Sequence, residues 1–344
     1  MTRTIPMVGA VVGVWLDQAP MERFEMSAQS PMPESTTAEA RSDGRKASES
    51  GRDREFGVLV GFDGSELAAL AVRFGAAEAA RRKTALTVVT AYPLPTMIYP
   101  NMASIPSEPE DEKARKQAEK TLAEAVELVR DHPGEKSFLT APGDAAGVIT
   151  TLSADAEIII VGARGRGGFV GRALGSVSTA VPAHAHCPTI VIPHHATSAE
   201  SHGPVAVAVD GSEPARVAMV TAAAEAAVRG APLEVIAVLP AGEEWLYWYP
   251  DLELSSEATA RRQRQLTESL EKEAATLAEQ FPDLAVTTSV PVGDPTETLV
   301  GISSRAQLTV MGTRGRGRIR SALLGSVSRG VLNHAEGPVM VVPS

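Results

Sequence analysis

The sequence predicts an α/β fold of two tandem, doubly wound parallel sheets, and three observations carry that expectation. Short β-branched runs alternate with Ala-rich stretches of helical period from residue 56 onward. From there to the end, the text repeats itself once. Aromatic residues make up only 4% of a chain whose hydrophobic share is 44%. The core must then be Val, Ile, Leu and Ala, as in strands buried on both faces beneath small-residue helices. At 344 residues the chain also exceeds what one core usually serves.

The repeat fixes the organisation. Val58-Leu59-Val60-Gly61-Phe62-Asp63-Gly64-Ser65 returns 147 positions later as Val205-Ala206-Val207-Ala208-Val209-Asp210-Gly211-Ser212, and Leu86 and Leu233 keep that offset. Tyr99-Pro100, Gly143-Asp144, Gly162 and Gly175-Ser176 return 150 positions later, as Tyr249-Pro250, Gly293-Asp294, Gly312 and Gly325-Ser326. The second copy is therefore three residues longer, between Val238 and Tyr249.

Each copy reads β-α-β-α-β-α-β-α-β, five strands wound by four helices. In the first copy the strand over 57–62 leads into an Ala-rich helix over 65–82, and a strand follows over 85–91. A Glu/Lys-rich amphipathic helix over 110–130 precedes a strand over 136–140, its charges reading as a solvated face. A short helix over 145–154 then meets the run Ile158-Ile159-Ile160-Val161, a strand over 157–161 buried on both faces. A helix over 176–185 and a strand over 188–192 close the copy. Right-handed crossovers place helices on both sides of the sheet. The domains are 56–195 and 203–344, and the short connector between Pro193 and Pro204 keeps them packed together.

Residues 1–55 stand apart. They read as a disordered N-terminal extension: beyond a short apolar run, residues 27–54 are rich in Ser, Glu, Arg and Pro, and Met26 could serve as the start. The run over 5–15 is too short to span a bilayer and no clear cleavage site follows it, so the cytoplasm is the expected location. The single cysteine, Cys187, agrees with a reducing compartment. A net charge of −10 excludes general affinity for nucleic acid, which needs a basic face.

Chemistry concentrates after the fourth strand. There the first copy has Gly162-Ala163-Arg164-Gly165-Arg166-Gly167-Gly168, then Gly175-Ser176 opening a helix; the second has Gly312-Thr313-Arg314-Gly315-Arg316-Gly317, then Gly325-Ser326. Glycines let backbone N–H groups approach phosphate oxygens. Ser176 and Ser326 suit N-cap positions, where free amides attract an anion. Arg164, Arg166 and Arg172, with Arg314, Arg316, Arg318 and Arg320, gather positive charge for a polyphosphate. Asp63 and Asp210 end the first strands, at the crevice where open α/β sheets bind ligands. Each carboxylate can accept from ribose hydroxyls or simply cap the next helix.

The spacing Gly-x2-Gly-x9-Gly-Ser, met at Gly162, Gly165, Gly175 and Ser176 and again at Gly312, Gly315, Gly325 and Ser326, resembles the ATP-binding signature of the universal stress protein family. The opening Val-Asp-Gly-Ser of copy 2 and the closing strands of both copies match as well. The resemblance implies Rossmann-like five-stranded sheets in the order 3-2-1-4-5, packed as an intramolecular pseudo-dimer with its seam at 188–192 and 339–343. It implies ATP as cofactor, one per domain, with or without Mg2+. Asp63 and Asp210 would contact adenosine, and the backbone of Ala91 and Val238 the adenine. Gly162, Arg164, Gly165, Gly175, Ser176 and Val177, with Gly312, Arg314, Gly315, Gly325, Ser326 and Val327, would hold the phosphates. The implied role is a nucleotide-dependent stress-response regulator without efficient catalysis. Its partners would be adenine nucleotide and other proteins, not nucleic acid or membrane, with a homodimer left open.

Two rivals are weighed against it. An adenylyl-transferring enzyme of related fold would need a His-x-x-His or Ser-Gly-Gly-x-Asp-Ser type motif that the sequence lacks. A nucleotide-free interaction module would keep the fold alone. No P-loop, Gly-x-Ser-x-Gly elbow or repeated catalytic set is present, so no catalytic residue is assigned. His184, His186 and Cys187 look like metal ligands but lie near a helix end where they need not converge, and copy 2 has only His334 in that region, so no metal is expected. Trp245, Tyr247, Trp248 and Tyr249 form an aromatic cluster in the longer loop of copy 2, read either as packing on the second helix or as a lid or partner-binding patch.

Overall fold

A computed structural model of the chain describes residues 22–24, 54–94, 110–166, 174–194, 203–240, 256–315 and 324–344. The first domain runs β2 (Gly57–Gly61), α1 (Glu66–Arg82), β3 (Leu86–Tyr92), α2 (Glu110–Leu128), β4 (Lys136–Pro142), α3 (Ala145–Leu152), β5 (Ala156–Gly162), α4 (Ser176–His184) and β6 (Thr189–Ile192). The second repeats this as β7 (Val205–Ala208), α5 (Glu213–Arg229), β8 (Leu233–Ile236), α6 (Ser256–Gln280), β9 (Val286–Ser289), α7 (Pro295–Ser303), β10 (Leu308–Gly312), α8 (Ser326–His334) and β11 (Val339–Val342).

In the first domain the strands lie in the order β4-β3-β2-β5-β6, all parallel, and in the second β9-β8-β7-β10-β11. Both are the expected 3-2-1-4-5 order. The two sheets are not separate, however. β6 and β11 pair antiparallel, Val339 opposite Val191, Met340 opposite Ile190 and Val341 opposite Thr189, and join all strands into one 11-stranded sheet. Tandem five-stranded sheets thus become two halves of one sheet, because the apolar last strand of each would otherwise leave an open edge.

The remaining strand, β1 (Glu22–Phe24), pairs antiparallel with β4, Glu22 opposite Thr140 and Phe24 opposite Phe138. It falls inside the extension 1–55 that the sequence reads as disordered, just before the Ser- and Pro-rich stretch 27–54. Backbone groups on the β4 edge can pair with any chain, so side-chain composition carries no trace of it.

Helix ends follow local chemistry. Ser65 caps α1 by accepting from the Ala68 amide at 3.2 Å, and Ser212 caps α5 by accepting from Ala215 at 3.3 Å. Helices α1, α2, α5 and α6 cover one face of the sheet over a core that includes Val58, Leu86, Ile160, Ile190, Val235 and Met340. On the other face α3, α4, α7 and α8 enclose Leu59, Ile159, Val191, Met311 and Val341. Both core layers run unbroken across the seam.

At the seam the ends of α1 and α5 bring four charges together. Arg82 donates to both carboxylate oxygens of Glu225 at 2.6 Å, and Arg229 donates to Glu78 at 2.7 Å. Arg229 also pairs with Glu225, and Arg82 with Glu78 at 3.3 Å. Glu78 is 1% exposed and Glu225 5%. Glu78 and Glu225 are repeat equivalents, as are Arg82 and Arg229, so the cluster is self-complementary like the interface of a twofold dimer.

Burial disfavours the charged form of Glu225, but Arg82 and Arg229 override it and hold its carboxyl below the usual glutamate range. A carboxylate depressed in the fold contributes stability above its unfolded pKa of about 4.3, and that contribution is lost as pH falls through the lower folded value. Urea unfolding followed from about pH 7 to about pH 3 is therefore expected to lose stability less steeply in Glu225→Gln than in the parent chain. Arg229→Ala removes one arginine from each buried carboxylate but leaves Arg82 on both and Arg81 on Glu78, and is expected to cost about 1.5–3 kcal/mol in the same measurement.

Candidate functional site

The strand order reverses beside β2 in the first domain and beside β7 in the second. The carboxyl ends of these strands diverge from their neighbours into a crevice. Asp63 stands at that point. Its Oδ1 accepts from the Ser65 amide at 3.0 Å and its Oδ2 from the Arg166 amide at 2.8 Å. It therefore does not cap α1, a role that Ser65 fills; it ties the end of the first strand to the glycine loop after the fourth. Asp210 accepts likewise from the Ser212 amide at 3.0 Å. Gly64 and Gly211 both turn the chain at φ +77°, where a side chain would be strained.

Five of the six signature glycines fall into two groups, and Gly312, whose Cβ would sit 3.3 Å from Pro214, lies between them. A Cβ on Gly165 would sit 2.1 Å from Asp63 Oδ2, and one on Gly315 2.3 Å from Asp210 Oδ2. A Cβ on Gly162 would lie 2.9 Å from that of Leu67, where β5 meets the first turn of α1. A side chain at these positions would crowd the fold itself, a constraint separate from any approach of phosphate to the loop. Gly175 and Gly325 differ. Their backbones are ordinary, φ −74° and ψ 170° at Gly175 and φ −59° and ψ 155° at Gly325. A Cβ there would meet nothing nearer than 3.5 and 3.6 Å. Among the described residues nothing requires glycine at either position, and the backbone there suits any residue.

Gly175 and Gly325 are also the N-caps of α4 and α8, with no side chain capping either helix. The sequence expectation placed Ser176 and Ser326 there. Instead each serine is the first helical residue, because the glycine amide is drawn back to the strand end: Gly175 donates to the Ala163 carbonyl at 2.8 Å and Gly325 to Thr313 at 2.9 Å. Among the described residues, the first-turn amides of both helices, including those of Val177 and Val327, thus have no side-chain cap from the N-cap residue.

Sequence reasoning missed two serines that set this geometry. Ser178 Oγ donates to the Ala163 carbonyl at 2.6 Å, and Ser328 Oγ to the Gly312 carbonyl at 3.0 Å, each locking a helix start onto its strand. Their recurrence at the 150-residue offset was the available signal.

Ala91 and Val238 lie across the crevice. In a parallel ladder alternate residues turn their backbone groups to alternate neighbours. Val89 accepts from Phe62 and Ile236 from Val209, whereas Tyr92 and Leu239 accept from Gly143 and Gly293 on the opposite side. The peptide groups of Ala91 and Val238 therefore face the first strand just beyond its last pair, into the crevice.

In the second domain the crevice is a cavity of about 1160 Å³. Asp210, Val238, Gly312, Arg314, Gly315, Gly325, Ser326 and Val327, all the candidate residues of that copy, line it, with Arg262, Gln265, Ser269 and Glu273 of α6 opposite. In the first domain Arg166 donates to the Gly64 carbonyl at 3.1 Å and lies 3.6 Å from Glu124 of α2; Arg164 is half-buried beside it in sequence. Gly167, Gly168, Arg172, Arg316, Gly317, Arg318, Arg320 and the aromatic cluster at Trp245, Tyr247, Trp248 and Tyr249 lie outside the described residues.

Comparison with known proteins meets this geometry. A model of the universal stress protein family matches residues 57–193 and again 202–343. This chain belongs to the universal stress protein family. Universal stress protein Rv2005c of Mycobacterium tuberculosis is 33% identical over 302 residues, covering 84% of this chain and 97% of the relative. Universal stress protein Rv2623 of the same organism is 32% identical, covering 83% and 95%. A universal stress protein from Archaeoglobus fulgidus superposes with a TM-score of 0.60 at 20% identity, over 83% of this chain and 96% of that one, and shares the fold.

Other candidates separate. His184 and His186 are exposed while Cys187 is buried, so the three do not converge, and burial pushes the Cys187 thiol up to about 12. Among the described residues no group of three or more His, Cys, Asp or Glu is placed to hold a metal, and no helix is long and apolar enough to cross a membrane.

The two groups of glycines are separable by stability alone. Gly165→Ala sets a methyl against the Asp63 carboxylate and is expected to cost about 1–3 kcal/mol in urea unfolding. Gly175→Ala is expected to stay within about 0.5 kcal/mol of the parent.

Proposed function

We propose that this universal stress protein binds ATP, one molecule in each domain, and that occupancy regulates its conformation or its choice of protein partner in the stress response. The observation that carries this reading is the pair Gly175 and Gly325. Each keeps open a space that no described neighbour needs, at a helix start whose N-cap residue offers no side chain, in a crevice bordered by arginine. Helix amides and positive charge in a cradle that a Cβ would fill suit a polyphosphate.

In this reading the amides of Ser176 and Val177, and of Ser326 and Val327, hold phosphate together with Arg164 and Arg314. Asp63 and Asp210 keep acceptor capacity for ribose hydroxyls, since each carboxylate oxygen can accept more than one bond. The peptide groups of Ala91 and Val238 offer one donor and one acceptor to an adenine edge. A cavity of about 1160 Å³ accommodates a nucleotide in the second domain. The strand-end carboxylate is assigned to the sugar, and no general base is assigned, so hydrolysis is expected to be slow and incidental. Mg2+ would enter with the phosphates, and the cytoplasm supplies both.

Isothermal titration of the full chain with ATP is expected to give about two sites, and about one in either Gly175→Val or Gly325→Val. A parent chain that takes up no ATP, and releases no nucleotide on denaturation, would overturn this reading in favour of a nucleotide-free interaction module.

A further inference from the structure

The two candidate sites are not equivalent, and the difference comes from across the seam. Leu174 immediately precedes Gly175, the N-cap of α4 in the first domain. Its amide donates at 3.2 Å to Oδ1 of Asn333, which lies in the last turn of α8 in the second domain. The Asn333 side chain is held in that orientation by its own Nδ2, which donates to the Arg329 carbonyl at 2.8 Å. The loop that delivers Gly175 is thus fastened by a residue of the other domain.

The reciprocal contact cannot form. The repeat equivalents of Leu174 and Asn333 are Leu324 and Ala183, and an alanine has no acceptor to offer the Leu324 amide. A true twofold pair of domains would hold both loops alike. Here one substitution, Asn in one copy against Ala in the other, removes half of the arrangement. The strand-end aspartates differ in the same sense, Asp63 being half-buried and Asp210 exposed.

We propose that Asn333 is a positioning residue for the first-domain site, fixing the Leu174–Gly175 loop for its anion, so that the first site is organised by the second domain while the second site is not organised by the first. The inference rests on the nucleotide reading above for the identity of the ligand, but not for the fastening itself. A neutral hydrogen bond contributes about 0.5–1.5 kcal/mol net, which corresponds to about a two- to twelvefold difference in an equilibrium. By linkage, a ligand that needs the ordered loop also favours the seam that orders it.

Two measurements on the full-length chain test it. Without nucleotide, amide exchange at Leu174 is expected to accelerate about two- to twelvefold in Asn333→Ala with Leu324 unchanged, and exchange at Leu324 to slow in Ala183→Asn. With ATP, Asn333→Ala is expected to weaken binding by a similar factor when Gly325→Val has silenced the second site, and to leave affinity unchanged when Gly175→Val has silenced the first. Ala183→Asn is expected to tighten the second site in the Gly175→Val background, a gain that a merely structural asparagine would not produce. Unchanged Leu174 exchange in Asn333→Ala overturns the proposal whatever the nucleotide does, and so does equal loss of affinity at both sites. If the parent chain takes up no ATP, the nucleotide reading falls instead, and exchange at Leu174 and Leu324 still decides whether Asn333 fastens the loop.

Discussion

Pairing of β6 with β11 is the constraint on which the rest of the molecule depends. Three residues from each strand are in register across it, and their side chains enter both core layers: Ile190 and Met340 on one face, Val191, Val339 and Val341 on the other. A last strand this apolar would be a sticky edge in an isolated domain. Closing it against its own repeat removes the edge and makes a single sheet with its parallel halves pointing in opposite directions. The buried Glu78, Arg82, Glu225 and Arg229 cluster then lies where α1 and α5 approach. Such clusters are weak evidence for net stability, since desolvation offsets much of the attraction. Their geometry is demanding, however, and each domain supplies half of it, so slipped pairings would leave charges buried without partners.

From that frame the crevices follow with little freedom. In each half the central strand ends in Asp-Gly-Ser, the serine caps the outgoing helix, and the aspartate reaches to the loop after the fourth strand. Gly165 and Gly315 are small because the carboxylate is there, and Gly162 because α1 is there. Once these requirements are met, Gly175 and Gly325 remain as glycines that no described neighbour explains. Separating glycines that the fold needs from glycines that only a ligand would need requires coordinates, since a spacing motif scores both alike.

The seam also makes the two halves unequal. Repeat symmetry places the last turn of α8 beside the α4 loop and the last turn of α4 beside the α8 loop, but only Asn333 can use that proximity. A tandem chain can hold such a difference, whereas a homodimer of identical domains cannot, because each copy in a tandem gene varies independently. Site inequality is therefore available to this architecture without any change in the signature residues.

The sequence by itself determined the fold class, the repeat, the helix and strand positions to within a few residues, and a set of residues that lines the second-domain crevice. Those features are local or periodic: burial on both faces makes strands read as continuous apolar runs, and a duplicated spacing is visible without knowing what it touches. Tertiary structure alone decided what depends on the approach of distant segments. Glu78 and Glu225 read as ordinary helix charges until the seam buries them against Arg229 and Arg82 of the opposite domain. Ser176 reads as a cap until the Ala163 carbonyl draws Gly175 into that position. The strand at Glu22–Phe24 is written in no side-chain pattern because the bonds that hold it are backbone bonds. Asn333 differs visibly from Ala183, but its partner lies 159 residues away in the chain, and only the fused sheet brings the two together.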